Sequence, residues 1–320
     1  MGPIEAVGKI PRLLGVLFRT ARRLCARPVD VVVLVDFGAF NLRLAKLLRK
    51  WRYAGPIVYF FPPGAWLDNA GQARAVAENT LPLTPFVHQR DFYQSLGLPV
   101  AYFGHPLVSL VAARAALPPA PADGGTIALL PGSRKTELTR HLPLLFAACR
   151  LILTKRPHAA FVLGAADADA ELIVREIAAE FGDVPLEIVA GAREALDRAD
   201  AAFVASGTAV LEAALREVPC VSLYVTSAAQ AKIGRRVYRG RFITLPNILL
   251  DRALVPELIQ EDATPVNLAL AVLGLLVDPS AQLAGMREVR ALLGPADSLA
   301  RIAEFVADVA SAGRSGASGA

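Results

Sequence analysis

At 320 residues, the chain is longer than one ordinary domain and fits two. With 54% hydrophobic and 20% charged residues it can bury sizeable cores, which excludes global disorder. Its three cysteines, Cys25, Cys149 and Cys220, are too scattered for a disulfide framework or a thiolate metal set, and the net charge of +5 is concentrated in residues 1–52, which hold 11 basic and 3 acidic residues.

The first element predicted is a basic amphipathic helix over residues 9–27. Ile10, Leu13, Leu14, Leu17 and Leu24 recur at helical spacing, and Arg12, Arg19, Arg22 and Arg23 fill other positions. Such a helix suits an anionic membrane surface, and the plain alternative is a surface helix with a solvated face. Nucleic acid is not expected as a partner, because aromatic residues do not interleave with the charges. The arginines break every candidate apolar core of a secretory leader, and no apolar run reaches the roughly 18 residues of a membrane span.

Strand-like and helix-like runs then alternate, the pattern of a parallel α/β sheet. Strands are expected at 29–35, 57–61, 82–86 and 100–103, with a helix at 42–51. The Pro-, Ala- and Gly-rich stretch 117–125 reads as a linker. Beyond it, strands are expected at 126–130, 159–163, 186–189, 201–205 and 220–225, and helices at 137–154, 168–180, 193–196 and 208–215. Residues 265–309 read as helical and 311–320 as a disordered tail. The expected division is a first domain over 1–117, a linker over 118–125, a second domain over 126–310, and the tail.

Two loops carry the chemistry. In LLPGSRKTE a strand ends in Pro131-Gly132-Ser133 and a helix begins. Gly132 permits close approach of a ligand to the backbone, amides at the helix start favour an anion, and Arg134 adds a two-pronged phosphate contact. The spacing is not that of a P-loop. The alternative is a plain helix cap, with Ser133 or Thr136 as N-cap. In VASGTAVLE, Ser206, Gly207 and Thr208 again join a strand to a helix, and Glu212 lies one turn on, within reach of ribose hydroxyls. A capping Thr and a solvated Glu are the alternative. Two such loops at the carboxyl ends of parallel strands point to a nucleotide diphosphate.

LLPGSRKTEL, VASGTAVLEAALREVPCV and ITLPNILLDRALVPELIQED, together with YFGHPLV and VDVVVLVDFGAFN, resemble the lipid-A-disaccharide synthase family, in the same order and similar spacing from about residue 2 to about residue 276. The resemblance implies a GT-B-like α/β fold, two Rossmann-like domains facing a cleft. It implies a metal- and cofactor-independent inverting transfer of diacylglucosamine from UDP to the 6-hydroxyl of diacylglucosamine 1-phosphate (lipid X), by a peripheral protein at the inner face of the cytoplasmic membrane. Carried over to matching positions, Asp36 is the family's essential acidic residue. Arg134, with Ser133 and Gly132, holds the diphosphate; Ser206, Gly207 and Thr208 line the nucleotide pocket and Glu212 reaches the ribose. Asn247, Glu257 and Gln260 complete the donor side.

A carboxylate at a strand end can take the proton of an attacking hydroxyl, although a lone Asp there is often a turn residue. His105 matches a family position and reads from its own context as a structural histidine, while His88, His141 and His158 fall into no constellation with carboxylates or cysteines. The opening strand and Gly-Glu-x-Ser-Gly-Asp loop of the family have no counterpart here, so the first domain is expected to be an incomplete sheet with an unpaired edge. Phe61-Pro-Pro-Gly-Ala-Trp-Leu67 replaces a Trp-rich family segment, with Trp66 displaced, and Ala39 replaces a second acidic residue. Two other readings follow: a shortened, non-catalytic UDP-sugar-binding relative, and another GT-B enzyme such as a UDP-sugar epimerase. Homo-oligomerisation is left open.

Overall fold

The computed structural model describes residues 3–63, 69–113, 121–237 and 240–317. Trp66, the first linker residues and the side chains of residues 3–10 lie outside them. The chain forms two compact units, Met1–Leu110 with Leu293–Ala320, and Val111–Leu292.

The first unit begins with α1 (Pro3–Ala26), β1 (Val32–Val35), α2 (Gly38–Lys50), β2 (Ile57–Phe60), α3 (Ala70–Asn79), β3 (Leu81–Thr84), α4 (Val87–Ser95), β4 (Ala101–Tyr102) and α5 (Leu107–Leu110). Its four strands pair in parallel in the order β1-β2-β3-β4. β1 is therefore an edge, and it alternates: Val32 and Leu34 are buried while Val33 and Val35 are exposed. On α1, Leu17 and Ala21 are buried with Leu44, Ala45 and Leu48 of α2. That removes Leu17 from the apolar stripe expected to suit a membrane surface. Leu24 joins the same core half-buried, whereas Leu13, Leu14 and Phe18 remain exposed.

The second unit runs β5 (Gly124–Leu130), α6 (Lys135–Leu153), β6 (His158–Ala165), α7 (Ala168–Ala178), β7 (Leu186–Ala190), α8 (Gly191–Asp197), β8 (Ala201–Ala205), α9 (Thr208–Leu215), β9 (Cys220–Tyr224), α10 (Ala228–Val237), α11 (Leu245–Leu250), β10 (Glu257–Ile259), α12 (Pro265–Val277) and α13 (Ser280–Leu293). Its six strands are all parallel, in the order β10-β9-β8-β5-β6-β7. Leu138, Leu142, Phe146 and Ile152 of α6 and Leu268 and Val272 of α12 pack into one core with Ile127, Leu129, Phe161 and Phe203 of the strands. β8 is buried at every residue, which is why such strands read as continuous apolar runs rather than alternations.

The chain ends in α14 (Ser298–Ala317). Ile302, Phe305, Val306 and Val309 of α14 cluster with Val58, Phe60 and Leu83 of β2 and β3. The return is fixed where Gly104 and Gly294 meet: both have positive φ, and a Cβ on Gly294 would lie 2.9 Å from the Gly104 Cα. Two expectations are corrected here. The last helix belongs to the first unit, because its apolar face covers that unit's sheet, so residues 126–310 do not form one domain. The tail expected to be disordered from 311 instead continues α14 to Ala317, and residues 318–320 lie outside the described ones. Among the described residues no single helix is long and apolar enough to cross a membrane.

Candidate functional site

The strand order of the second unit reverses between β5 and β8: the chain builds β5, β6 and β7 outward on one side, then β8, β9 and β10 on the other. Open parallel sheets bind ligands at such a switch point, beyond the carboxyl ends of the strands. The loops leaving β5 and β8 there are Pro131–Arg134 and Ser206–Gly207, and each leads directly into a helix, α6 and α9. Gly132 has φ 105°, and a Cβ there would lie 2.4 Å from a Glu137 carboxylate oxygen. Gly207 has φ 155° and open space where a Cβ would be. Both positions demand glycine by conformation.

The cap of α6 differs from the one in the plain-cap alternative. Neither Ser133 nor Thr136 is its N-cap; Arg134 is, in an extended conformation. Glu137 organises the loop: one carboxylate oxygen accepts from the amides of Ser133 at 3.2 Å and Arg134 at 3.3 Å, and the other from the Arg134 guanidinium at 2.6 Å. The Arg134 side chain is nonetheless 67% exposed, so it is presented to solvent with its base steered. The long amide contacts are the weak kind that a phosphate oxygen can replace.

His141, given no role from sequence, lies one turn further on α6 and is completely buried. Its Nδ1 lies 2.7 Å from the Pro131 carbonyl, and its Nε2 accepts from the Val225 amide at 3.0 Å. A carbonyl only accepts and an amide N–H only donates, so the ring is neutral with its proton on Nδ1. Burial holds its pKa below the ordinary imidazole value.

The other expected donor-side residues prove to be tied into the protein. Glu212 points at Arg216, its carboxylate 3.7 Å from the Arg216 Nε. Asn247 is buried, donating to the Val255 carbonyl and Glu257 and accepting from the Leu254 and Val255 amides. Glu257 accepts from the Ile243 and Thr244 amides and the Thr244 hydroxyl at the start of α11. Gln260, in the left-handed region at φ 52°, accepts from the Thr226 amide and donates to its carbonyl. Of these, Gln260 is at the strand edge that carries the two loops. Glu257 and Asn247 brace α11 against β10.

A recess of about 490 Å³ on the β6 side of the Ser133 loop is lined by Lys135, Leu138, Asp167, Asp169 and Ile173 among others. Its two carboxylates, Asp167 and Asp169, disfavour a diphosphate there. A second recess, of about 460 Å³, opens at the starts of β2 and β3, the opposite end of that sheet from Asp36.

In the first unit, Asp36 follows β1 with φ 47°, and Phe37 has φ 42°. Two successive left-handed non-glycine residues are strained and persist only when held. The clamp is visible. The Asp36 carbonyl accepts from the Tyr59 hydroxyl at 3.0 Å and the Asn41 side-chain Nδ2 at 2.8 Å, and its N–H donates to the Phe60 carbonyl. The carboxylate is exposed and accepts no hydrogen bond among the described residues. Burial and the nearby Asp36 carboxylate both push the Tyr59 phenol well above its usual pKa. At the same edge His105 packs edge-on to Phe61, 5.4 Å between centroids. Its Nδ1 accepts from the Leu107 amide and its carbonyl from the Ser298 hydroxyl, and burial lowers its pKa to about 4. This is the structural histidine its own context predicted. Among the described residues, no group of His, Cys, Asp and Glu could hold a metal ion.

Comparison with known proteins adds the following. The lipid-A-disaccharide synthetase family model matches residues 1–300. The lipid-A-disaccharide synthase of Anaeromyxobacter sp. (strain K) is 36% identical over 322 residues, 97% of this chain and 83% of the relative. That of Pseudomonas aeruginosa (strain UCBPP-PA14) is 36% identical over 292 residues, 88% of this chain and 76% of the relative. Among solved structures, the UDP-GlcNAc 2-epimerase of Neisseria meningitidis bound to UDP-GlcNAc superposes with TM-score 0.62 at 11% identity, over 96% of this chain and 84% of the other. The calicheamicin glycosyltransferase CalG4 superposes with TM-score 0.55 at 15% identity, over 97% and 85%. At those identities the likeness is one of fold, the GT-B arrangement of two Rossmann-like units.

Proposed function

The chain belongs to the lipid-A-disaccharide synthetase family, a family of glycosyltransferases of lipid A assembly, and from that premise we propose its substrates, base and mechanism. The donor is UDP-diacylglucosamine and the acceptor diacylglucosamine 1-phosphate. Asp36 takes the proton of the acceptor's 6-hydroxyl as that oxygen attacks C1 of the donor sugar. The C1–O bond to the diphosphate breaks on the opposite face, and UDP departs with the electron pair, so the configuration at C1 inverts. Arg134 and the first-turn amides of α6 and α9 offset the charge that grows on the leaving diphosphate.

The observation that carries this reading is the placement of Gly132–Arg134 and Ser206–Thr208 on the two loops flanking the strand-order reversal. Asp36 supports it from the other unit: a strained strand-end residue, clamped through its backbone, with a carboxylate free to work. The epimerase alternative draws only on likeness of fold. The test is turnover of the purified protein with both substrates. Disaccharide formation matched by UDP release supports the reading; UDP release without disaccharide refutes the acceptor.

The first helix supports a peripheral membrane attachment. Leu13, Leu14 and Phe18 are exposed, the Phe18 ring centroid lies 6.2 Å from that of the exposed Trp51, and Arg12, Arg19, Arg22 and Arg23 are exposed on the same helix. An apolar patch among arginines fits a surface of anionic lipid. Flotation with vesicles containing anionic lipid, but not with neutral ones, is the expected result; equal flotation with both would refute it.

A further inference from the structure

We propose that His141 is a positioning residue of the donor site: its imidazole ties the loop after β5 to the end of β9 and so fixes the backbone that receives the diphosphate. The inference rests on the reading above that these loops hold UDP.

The geometry is that of a brace. His141 reaches from α6 to the Pro131 carbonyl at 2.7 Å and to the Val225 amide at 3.0 Å, partners 10 and 84 residues away in the chain. β8 lies between β5 and β9, so the imidazole spans the strand end from which Ser206, Gly207 and Thr208 depart. Pro131 directly precedes Gly132, and Val225 precedes Thr226, whose amide and carbonyl are held by Gln260. One side chain thus sets the separation of the two flanks of the anion-receiving loops. With Glu137 four residues earlier, it takes up the Pro131 carbonyl and the Ser133 and Arg134 amides of that loop. Preorganisation of this kind strengthens binding without touching the ligand.

The brace works in one protonation state. A second proton on Nε2 would face the Val225 N–H, donor against donor, and the bond would be lost. The charged groups that act on the ring are Glu137, which favours protonation, and Arg140, which opposes it. From β9 the titratable neighbour is Tyr224, its ring 6.2 Å from the imidazole, and the loop after β5 presents the Pro131 carbonyl. Burial outweighs these and keeps the ring neutral below the ordinary imidazole range. The brace is therefore intact at neutral pH and is lost as pH falls through the lowered value.

The experiment is calorimetric titration of UDP into the full chain, wild type beside His141→Gln, His141→Asn, His141→Leu and Arg134→Ala, between pH 7.5 and acid. Asn keeps a donor near Pro131 and Gln an acceptor near Val225; Leu keeps neither. The expected UDP Kd rises about tenfold in His141→Leu and about three- to fivefold in His141→Gln and His141→Asn. On acidification wild type weakens towards His141→Gln, which carries no titratable group there. Comparing the two at each pH cancels the titration of UDP itself. If His141→Leu fails to fold, the Gln and Asn variants carry the test. A lower melting temperature in folded His141→Gln, with UDP affinity within twofold of wild type at every pH, would make His141 merely structural and overturn the proposal. Saturable wild-type binding weakened by Arg134→Ala but not by the His141 variants overturns this inference alone. Absence of wild-type UDP binding overturns the donor reading and this inference with it.

Discussion

The two units carry their strand-end residues in different ways. In the second, the loop groups are tied by side chains: Glu137 to the Ser133 and Arg134 amides, His141 across β8, Gln260 to Thr226. In the first, side chains hold the strained strand-end backbone, and the carboxylate proposed to act as base is left exposed. Asp36, Phe37 and Phe61 all have positive φ, and the Asp36 carboxylate accepts no hydrogen bond among the described residues. Binding a diphosphate needs donors held in place before the ligand arrives. On the proposed roles, a base must stay free to take a proton, which suits a residue whose backbone is clamped while its carboxylate is exposed.

The largest effect that tests this contrast is Asp36→Asn. It is expected to lower kcat by about 10²- to 10⁴-fold, the range for a lost general base, with UDP affinity unchanged in calorimetry. An equal loss of UDP affinity would erase the division of labour. Arg134→Ala is the mirror image: UDP Kd should rise roughly 10- to 100-fold, as for a lost charge-assisted contact, while the melting temperature holds, since the side chain is 67% exposed.

Gly132→Ala sharpens the comparison further. Its φ of 105° and the collision with Glu137 should cost about 1–3 kcal/mol, read as a weaker UDP Kd and a lower melting temperature together. Wild-type behaviour would mean that the loop is not held as described.

The smallest effect is a pH dependence in the first unit. The His105 imidazole is neutral and buried, with its pKa lowered to about 4. The unfolded chain therefore binds a proton near pH 6.5 that the folded chain refuses. Stability due to His105 is full above about 6.5 and falls as pH drops towards about 4. Urea unfolding of His105→Gln should lack that part of the acid slope. An unchanged slope would place the dependence elsewhere.

Much of the second unit was legible from sequence, because strands buried on both faces are continuous apolar runs and small residues mark their ends. Residues 201–205 and 208–215 are β8 and α9 at the predicted bounds, and Gly132 and Gly207 stand in the strand-to-helix turns read from the sequence. β10 was not read, since Glu257–Ile259 is a three-residue strand with no pattern of its own. The hydrogen-bond partners of Asn247, Glu257 and Gln260 were not legible either. Each is an ordinary polar residue until its partners are known, and those partners lie up to 34 residues away in the chain.

By itself, then, the sequence determined the parallel α/β class, the two small-residue strand-to-helix turns, the strand-end Asp36 and the basic amphipathic first helix. All of these are local: periodicity, turn chemistry and charge act within a few residues. Only the tertiary structure decided that α14 returns to the first sheet, that Leu17 turns inward while Leu14 and Phe18 stay out, and that His141 joins Pro131 to Val225. Those outcomes depend on which distant apolar face, carbonyl or amide arrives beside each residue, and that is set by strand order and not by sequence neighbours.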